Sequence, residues 1–349
     1  MSIEKMSRRA AISGLGAGLA VMSVGRGFAA PTMSQEHGVS AAGASAGGGA
    51  AGSSPGGPLV DPTTKYPKPP FNGQSQEWPG LAGKMDPRPD HGEKSYRGSG
   101  RLQGRKALIT GGDSGMGRAA AIAYAREGAD VAINYYPTEE PDAKEVIELI
   151  KAEGRKAVAI PGDLRDAAFC RKLVDEAVRQ LGGLDILVSN AGRQQANKSI
   201  LDISDEQFDW TMKTNIYAPF WIIKAALPHL QPGSVIIGTT SEQAYDPSPD
   251  LYDYAQTKAA TMNYVKSLAK QLGPKGIRVN GVAPGPIWTP LQVSGGATQE
   301  KLKNFGGQTP LGRPGQPVEL ASIYVQLAAN DGSYANGQVY GAAGGSGQP

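Results

Sequence analysis

Tyr254 and Lys258 lie four residues apart at the start of a segment, residues 252–272, whose pattern predicts a helix. Side chains with this spacing share one helix face. A free phenol has a pKa of about 10 and is a poor base at neutral pH, but a neighbouring ammonium favours the phenolate and lowers that pKa. The pair is therefore suited to exchanging a proton with a substrate oxygen.

Ser241 follows an apolar run, residues 234–238, that predicts a buried strand. A hydroxyl near the end of that strand can hold a carbonyl oxygen while the phenol exchanges a proton with it. The Tyr-x-x-x-Lys pair alone is weak evidence, because a solvated helix face also produces it. Tyr252 has Gln256 at the fourth position and so lacks a cationic partner. The three residues Ser241, Tyr254 and Lys258 together indicate carbonyl and alcohol chemistry.

Composition excludes several other functions. A chain of 349 residues with 40% hydrophobic residues can hold one large α/β domain or two small ones. The net charge of +3 comes without a basic cluster, so we expect no nucleic-acid partner. Cys170 is the only cysteine, and His37, His91 and His229 are scattered. We therefore expect no internal disulfide and no metal site.

The first 29 residues have the pattern of a targeting signal. Arg8 and Arg9 precede a mild apolar run, residues 10–24, and Gly27 and Ala29 are small residues of the kind a signal peptidase reads. This pattern predicts twin-arginine export to the periplasm, and the alternative is a disordered tail on a cytoplasmic enzyme. The apolar run is too short and too rich in glycine for a stable membrane span.

Two further segments separate this signal from the predicted catalytic domain, residues 102–349. Residues 30–61 are Gly/Ala/Ser-rich and predict a flexible linker. Residues 62–101 are proline-rich, and their large side chains predict an arm that lies on the folded body, with a longer linker as the alternative. Those side chains are Tyr66, Phe71, Trp78, Leu81, Met85 and Tyr96.

Strands and helices alternate through the predicted catalytic domain. A buried strand, residues 106–110, is followed by the glycine-rich turn T-G-G-D-S-G-M-G at 110–117 and an alanine-rich helix. In this context the glycines let backbone N–H groups approach a pyrophosphate. The later elements are expected at 130–134, 141–152, 156–161, 167–181, 186–189, 205–230, 234–238, 252–272, 278–283, 318–329 and 338–340. The alternation predicts an α/β domain with one doubly wound parallel sheet and helices on both faces.

From residue 102 to 345 the chain resembles the short-chain dehydrogenase/reductase family. The resemblance rests on motifs that occur in the family's order: the turn at 110–117, Asp163-Leu164, Ser189-Asn190-Ala191-Gly192 for the family's N-N-A-G, Asn215, Ser241, Tyr254 with Lys258, and Pro284-Gly285-Pro286-Ile287-Trp288-Thr289. The arm's end, residues 90–96, is also similar to an N-terminally extended subgroup of bacterial oxidoreductases.

The resemblance implies a Rossmann-type sheet of about seven strands, a homotetramer, and an NAD(P)-dependent oxidoreductase that acts on a small carbonyl or alcohol. It implies a catalytic set of Asn215, Ser241, Tyr254 and Lys258, in which Lys258 also holds the cofactor ribose and Asn215 anchors a water. It implies cofactor contacts from Gly111, Asp113, Ser114, Gly115, Met116, Gly117, Asn134, Asp163, Leu164, Asn190, Ala191, Gly192, Tyr254, Lys258, Pro284, Gly285, Ile287 and Thr289.

The choice between NADP and NAD depends on the end of the second strand. No acid stands at residues 134–138, where an NAD enzyme would bind the ribose 2′-hydroxyl, although Glu139 and Glu140 would oppose a 2′-phosphate if they faced it. The basic residue often found before the second glycine of NADP enzymes is also absent, since Ser114 stands there. We favour NADP, with NAD or dual use as the alternative.

Residues 288–307 resemble the family's substrate lid, and the side chains of Trp288, Leu291, Val293 and Phe305 fit a small or medium aldehyde, ketone or sugar. The alternative function is a nucleotide-binding redox sensor or scaffold without catalysis. A structural dimerisation module is a third interpretation.

Overall fold

The computed structural model describes residues 59–346 of the chain. The predicted export signal and nearly all of the predicted linker lie outside these residues. The strands are β1 (Lys106–Thr110), β2 (Asp130–Tyr135), β3 (Ala157–Pro161), β4 (Ile186–Ser189), β5 (Val235–Thr239), β6 (Arg278–Pro284) and β7 (Val339–Ala342).

All seven strands are parallel and lie in the order β3-β2-β1-β4-β5-β6-β7. The helices that alternate with them are α1 (Gly115–Arg126), α2 (Glu140–Ala152), α3 (Ala167–Leu181), α4 (Asp205–Met212), α5 (Ala218–Ala226), α6 (Tyr252–Leu272), α7 (Gln299–Lys303) and α8 (Val318–Ala328). The predicted doubly wound fold is thus confirmed.

The central strands are continuous apolar runs because helices cover both faces of the sheet. Side chains of α1, α2 and α8 form one core cluster with strand residues such as Ile109 and Ile133. Side chains of α3, α5 and α6 form a second cluster with strand residues such as Leu108 and Leu187. Neighbouring residues of β1 therefore point to opposite clusters, as the two-residue period of a strand requires.

The single helix predicted for residues 205–230 is interrupted. A π-helical turn, Lys213–Tyr217, separates α4 from α5, and a 3₁₀ turn, Leu227–His229, ends the segment. Pro219 has no N–H and cannot donate the α-helical hydrogen bond to the carbonyl of Asn215. The wider turn instead pairs the N–H of Ala218 with the carbonyl of Lys213. The continuous helix that we predicted does not include this break, which contains Asn215.

The described part of the arm packs against the catalytic domain. Its residues Phe71 and Met85 form a buried cluster with Trp288, Val293 and Leu302, and the Phe71 and Trp288 rings stack with centroids 4.4 Å apart. The carboxylate of Glu127, just after α1, accepts hydrogen bonds from the Tyr96 hydroxyl at 2.6 Å and from the backbone N–H groups of Ser99 and Arg101, each at 2.9 Å. The arm is therefore part of the folded body.

No helix within residues 59–346 is both long and apolar enough to cross a membrane. Over the same residues, no cluster of three or more His, Cys, Asp or Glu side chains is arranged to hold a metal ion.

Candidate active site

A deep cleft lies at the carboxyl edge of the sheet, between β1 and β4. These strands are neighbours, and the chain adds β2 and β3 on one side of them and β5 to β7 on the other. Helices therefore leave adjacent strand ends in opposite directions, which opens a crevice at this point. The residues that line it come from the ends of β1 to β5, from α1, α4 and α6, from residues 289–291 and from the arm.

The glycine-rich turn forms the floor of the cleft. Gly111 and Gly115 have φ values of 62° and 52°, in the left-handed region that favours glycine. A Cβ at Gly117 would lie 1.9 Å from the carbonyl oxygen of Gly111, so no larger residue fits there. This close packing brings the N-terminus of α1 to the floor, where its free N–H groups and dipole suit a pyrophosphate.

Most of the residues predicted to contact a cofactor line this cleft. They are Gly111, Asp113, Ser114, Gly115, Met116, Asn134, Asp163, Leu164, Asn190, Ala191, Gly192, Tyr254, Lys258 and Thr289. Gly117 instead packs beneath the turn, and Pro284, Gly285 and Ile287 line an adjacent cavity. The predicted set is thus divided between the cleft and the adjacent cavity, and Gly117 lines neither.

Two asparagines of this set hold the strand ends together. The Asn190 side chain donates to the carbonyl oxygens of Thr110 at 3.2 Å and Gly111 at 3.0 Å, which ties β4 to the glycine turn. The Asn134 side chain donates to the carbonyl of Ile160 at 3.1 Å, which ties β2 to β3. Both side chains therefore shape the cleft through the backbone.

Tyr254 and Lys258 lie in the first two turns of α6, and both are buried. The Lys258 ammonium is 5.3 Å from the centre of the Tyr254 ring and donates to the carbonyl oxygen of Thr239 at 2.9 Å. Burial lowers the pKa of Lys258 to about 8. The lysine is thus held by the end of β5 with its charge beside the phenol.

The protein surroundings do not lower the pKa of Tyr254, contrary to the expectation from its spacing to Lys258. Burial raises this pKa above its usual range, interaction with the Ser241 hydroxyl opposes the rise, and the Glu242 carboxylate adds to it. Desolvation disfavours the phenolate more than these neighbours favour it. The phenol therefore carries its proton at neutral pH, which suits it to act as an acid.

Ser241 lies two residues beyond β5 and is buried. Its hydroxyl oxygen accepts a hydrogen bond from the backbone N–H of Gln243 at 3.1 Å and so caps the short 3₁₀ helix Glu242–Ala244. This bond fixes the oxygen while the hydroxyl hydrogen is free to point elsewhere. Ser241 can therefore cap this helix and still offer its hydroxyl hydrogen to a substrate oxygen.

Asn215 lies in the π-helical turn and lines neither space. Its carboxamide accepts from the Arg193 backbone N–H at 2.8 Å and donates to the Arg193 carbonyl at 2.9 Å and to the Thr257 hydroxyl at 3.0 Å. A Cβ at Gly192 would lie 3.5 Å from the Lys258 nitrogen and 3.6 Å from the Asn215 oxygen. The asparagine is thus close behind Lys258.

The adjacent cavity begins at Ser241 and Tyr254. Its apolar wall includes Leu251, Leu291 and Phe305, and its polar lining consists of Gln194, Ser241, Glu242, Gln243, Ser248, Asp250, Gln292 and Lys301. Burial raises the pKa of Glu242 to about 7, so this carboxyl titrates near neutrality. A small molecule here would meet both a carbon-rich wall and several hydrogen-bonding groups.

The sequence-based assignment of the lid was partly wrong. Leu291 and Phe305 line the cavity, but Trp288 and Val293 are 0% and 1% exposed and pack against the arm. The Trp288 indole donates to the carbonyl of Pro87 at 2.8 Å. The sequence pattern of residues 288–307 does not indicate a contact with Pro87, which lies 201 residues earlier in the chain.

Two carboxyl groups, Asp113 and Glu139, face the cleft near the end of β2. Burial raises the pKa of both, and their mutual repulsion adds to the rise for Glu139. One carboxyl oxygen of Asp113 is buried without a hydrogen-bond partner. An unsatisfied polar atom in the cleft, together with the close-packed glycine turn, fits a ribose and pyrophosphate.

Four residues that no sequence motif predicts also line the cleft: Trp78, Pro79, Tyr136 and Trp210. Trp78 comes from the arm, whose large side chains predicted only that it would contact the folded body. Tyr136 and Trp210 do not belong to any sequence motif identified above. These residues enter the site through tertiary contacts alone.

Comparison with known proteins agrees with this geometry. A family model described as "Enoyl-(Acyl carrier protein) reductase" matches residues 111–346. The uncharacterized oxidoreductase YhxD of Bacillus subtilis is 59% identical over 290 residues, which cover 82% of this chain and 97% of that protein.

An NADPH-dependent aldehyde reductase of Arabidopsis thaliana is 44% identical over 267 residues, 75% of this chain and 92% of the relative. A short chain dehydrogenase from Burkholderia cenocepacia, solved in complex with NADP, aligns with a TM-score of 0.65 and 36% identity, over 70% of this chain and 98% of that one. The chain belongs to the short-chain dehydrogenase/reductase family of oxidoreductases.

Proposed function

We propose that this chain catalyses hydride transfer between a nicotinamide dinucleotide and a small or medium aldehyde, ketone or sugar, with Tyr254 as the acid and base. The observation that carries the proposal is the position of Tyr254, which lines both the cleft and the adjacent cavity. A nucleotide sensor without catalysis has no need of a second cavity that opens on this phenol.

The proposed roles follow from the geometry. When bound, the nicotinamide supplies the hydride for reduction or accepts it in oxidation. The Tyr254 hydroxyl donates a proton to the carbonyl oxygen in reduction and removes one from the alcohol in oxidation. The Ser241 hydroxyl, held through Gln243, donates a hydrogen bond to the same oxygen as negative charge develops on it.

Lys258 and Asn215 assist these steps by stabilising charge and by positioning the backbone. The Lys258 ammonium, anchored on Thr239, is placed to hold the cofactor ribose and to stabilise the phenolate left by proton transfer. Asn215 acts as a positioning residue, because its hydrogen bonds to Arg193 fix the backbone beside the lysine. A water held in this space would connect Lys258 to solvent.

We propose NADP as the cofactor. The Burkholderia relative binds NADP, and the Arabidopsis relative is named for NADPH. The neighbouring carboxyl of Glu139 does not exclude a 2′-phosphate, because its raised pKa keeps it protonated near neutral pH and a neutral carboxyl does not repel an anion.

The reaction is tested with purified protein, NADPH and a panel of aldehydes, ketones and sugars, followed by absorbance at 340 nm. We expect substrate-dependent oxidation of NADPH by the native protein and none by Tyr254→Phe. Binding of NADPH without turnover of any panel member by the native protein would favour the sensor instead.

Export and assembly are separate proposals. Arg8 and Arg9 support twin-arginine export of the folded protein to the periplasm, and a chain with one cysteine needs no oxidising compartment to fold. Cell fractionation of the native chain and an Arg8→Lys/Arg9→Lys variant tests this proposal. If both stay full-length in the cytoplasm, the export proposal fails and a cytoplasmic enzyme remains.

The family resemblance supports a homotetramer. So do large apolar side chains that are exposed to solvent on neighbouring helical segments. Phe208, Tyr217 and Phe220 are 38%, 48% and 60% exposed. We propose that these side chains form part of a subunit interface. Light scattering of the eluted protein distinguishes a tetramer from a monomer, and Phe220→Glu is expected to lower the mass.

A further inference from the structure

Three residues of the arm, 78–80, cross above the cofactor cleft, and we refer to them as the roof. Trp78 and Pro79 line the cleft directly. Gly80 lies against the lid, since a Cβ there would come within 3.3 Å of Pro290. Pro290 also lines the cleft, so the roof spans it to the lid.

The roof is fixed on both sides of the cleft. On the lid side, the backbone N–H of Gln76 donates to the carbonyl of Val293 at 2.9 Å. On the other side, the carboxylate of Asp142 in α2 accepts from the N–H groups of Ala82 at 2.5 Å and Gly83 at 3.1 Å. The Asp142 side chain is buried, so both hydrogen bonds are shielded from water.

Within the roof, the Trp78 ring is held by aromatic neighbours from two other elements. It makes edge contacts with Tyr136, just after β2, at 5.0 Å and with Trp210, in α4, at 4.9 Å between ring centroids. The guanidinium carbons of Arg165 and Arg193 lie 4.0 and 4.2 Å from the Trp210 ring centre. Edge-to-face aromatic contacts and guanidinium groups over an aromatic ring hold one another in place.

The position of this cluster identifies the half of the cofactor that it covers. In doubly wound folds the adenosine lies over the end of β2, and the nicotinamide lies on the other side of the crevice. Tyr136 and Glu139 follow β2, and Asp163 follows β3, whereas Tyr254 and Lys258 lie beyond β5. Trp78 is therefore on the adenosine side.

We infer that Trp78 is a cofactor-binding residue, through which the N-terminal arm supplies the outer wall of the adenosine site and slows release of the dinucleotide. The inference rests on the proposed nicotinamide dinucleotide but requires no particular substrate. The cluster offers a flat, electron-rich ring beside a cleft whose other walls come from the sheet. A dinucleotide bound there leaves only after the roof or the lid moves.

The test measures binding without turnover. Calorimetry gives the dissociation constants of NADP and of adenosine 2′,5′-bisphosphate, which carries the adenosine half of NADP alone, for the native chain, Trp78→Ala and Trp78→Phe. Displacement of bound NADPH, followed by its fluorescence, gives the release rate. Tyr66→Ala is the matched control, because Tyr66 is an arm aromatic that bonds Asp90 at 2.9 Å and does not line the cleft.

We expect Trp78→Ala to weaken binding of both ligands and to speed NADPH release by about tenfold or more, as loss of a base-stacking ring does elsewhere. Trp78→Phe should retain affinity within about threefold of the native chain, and Tyr66→Ala should match the native chain. Equal affinity in Trp78→Ala and the native chain overturns the inference, as does an equal loss in Tyr66→Ala. If the native chain binds no dinucleotide, the proposed function fails as well.

Discussion

The catalytic wall of the cleft and its roof are held in different ways. The wall, Ser241 to Lys258, is a short stretch of chain, and its anchors are local: the Lys258 ammonium bonds the carbonyl of Thr239, and the Thr240 hydroxyl bonds the carbonyl of Lys258 at 2.8 Å. The roof has no regular structure, and its anchors, Asp142 and Val293, lie about 60 and 220 residues away in sequence.

This difference separates two tasks. A proton donor must be held to a fraction of an ångström, which favours a strand end and a helix that are rigid before the substrate arrives. A wall that has to let the cofactor enter can be carried by a segment that opens at a lower free-energy cost than the core does. We therefore expect changes in the wall to affect chemistry and changes in the roof to affect binding.

The largest effect is expected for Tyr254→Phe. Loss of the hydroxyl removes the proton donor, so kcat should fall by about 10³, within the range for general acid–base groups. Cofactor affinity should change little, because the ring remains. Steady-state kinetics and calorimetry check both, with Tyr252→Phe as the matched control, since that phenol is 47% exposed on the same helix. Retention of more than about a tenth of kcat contradicts the assignment.

Lys258→Ala should lower both cofactor affinity and kcat, because one ammonium serves both tasks. Burial keeps the Tyr254 phenol protonated through the neutral range, so Lys258 should matter mainly by stabilising the phenolate that proton transfer leaves, and its loss should lower kcat at all pH values in that range. In the native chain the Lys258 pKa of about 8 implies that cofactor affinity falls above that pH.

The pH dependence of binding and of kcat/KM tests this dual role of Lys258. Lys266→Ala, an exposed lysine of the same helix, is the control. Unchanged cofactor binding together with an unchanged kcat would show that the lysine has neither role.

Asp142→Ala should loosen the roof without touching the wall. The variant leaves two backbone N–H groups without their acceptor, at a cost of about 1–3 kcal/mol each when such groups stay buried. We expect a lower free energy of unfolding and faster cofactor release, with kcat at saturating cofactor within about twofold of native. Asp175→Ala, at an exposed position of α3, is the control. A large fall in saturated kcat would mean that roof and wall are not separable.

The sequence was sufficient to predict that the wall residues lie together and not to predict the roof. The glycine turn, Ser241, Tyr254 and Lys258 have short-range patterns, because each chemical role requires a residue type at a fixed spacing. The contacts of Trp78 with Tyr136 and Trp210 join three separate elements, and no spacing encodes them. The π-helical turn at Asn215 was missed for a similar reason, since Pro219 breaks a helix whose apolar periodicity continues through it.

The smallest effect is expected for Glu139→Gln, on the roofed side of the cleft. When ionised, Glu139 opposes a 2′-phosphate, so the amide should raise the affinity for NADP relative to NAD by about 3–10-fold at high pH. Because the Glu139 pKa is raised, the native preference for NADP should be strongest at low pH and decline as pH rises, and the variant should show a weaker dependence, which Asp113 alone would cause. Glu148→Gln, on an exposed side chain, serves as control.

The claim that the wall governs hydride and proton transfer while the roof governs cofactor release is tested most directly by two measurements on two variants. Stopped-flow release of NADPH and single-turnover reduction of one active aldehyde are followed in Tyr254→Phe and Trp78→Ala. We predict native release with about 10³-fold slower reduction in the first, and about tenfold faster release with reduction near the native rate in the second. Equal changes of both quantities in either variant would contradict the account.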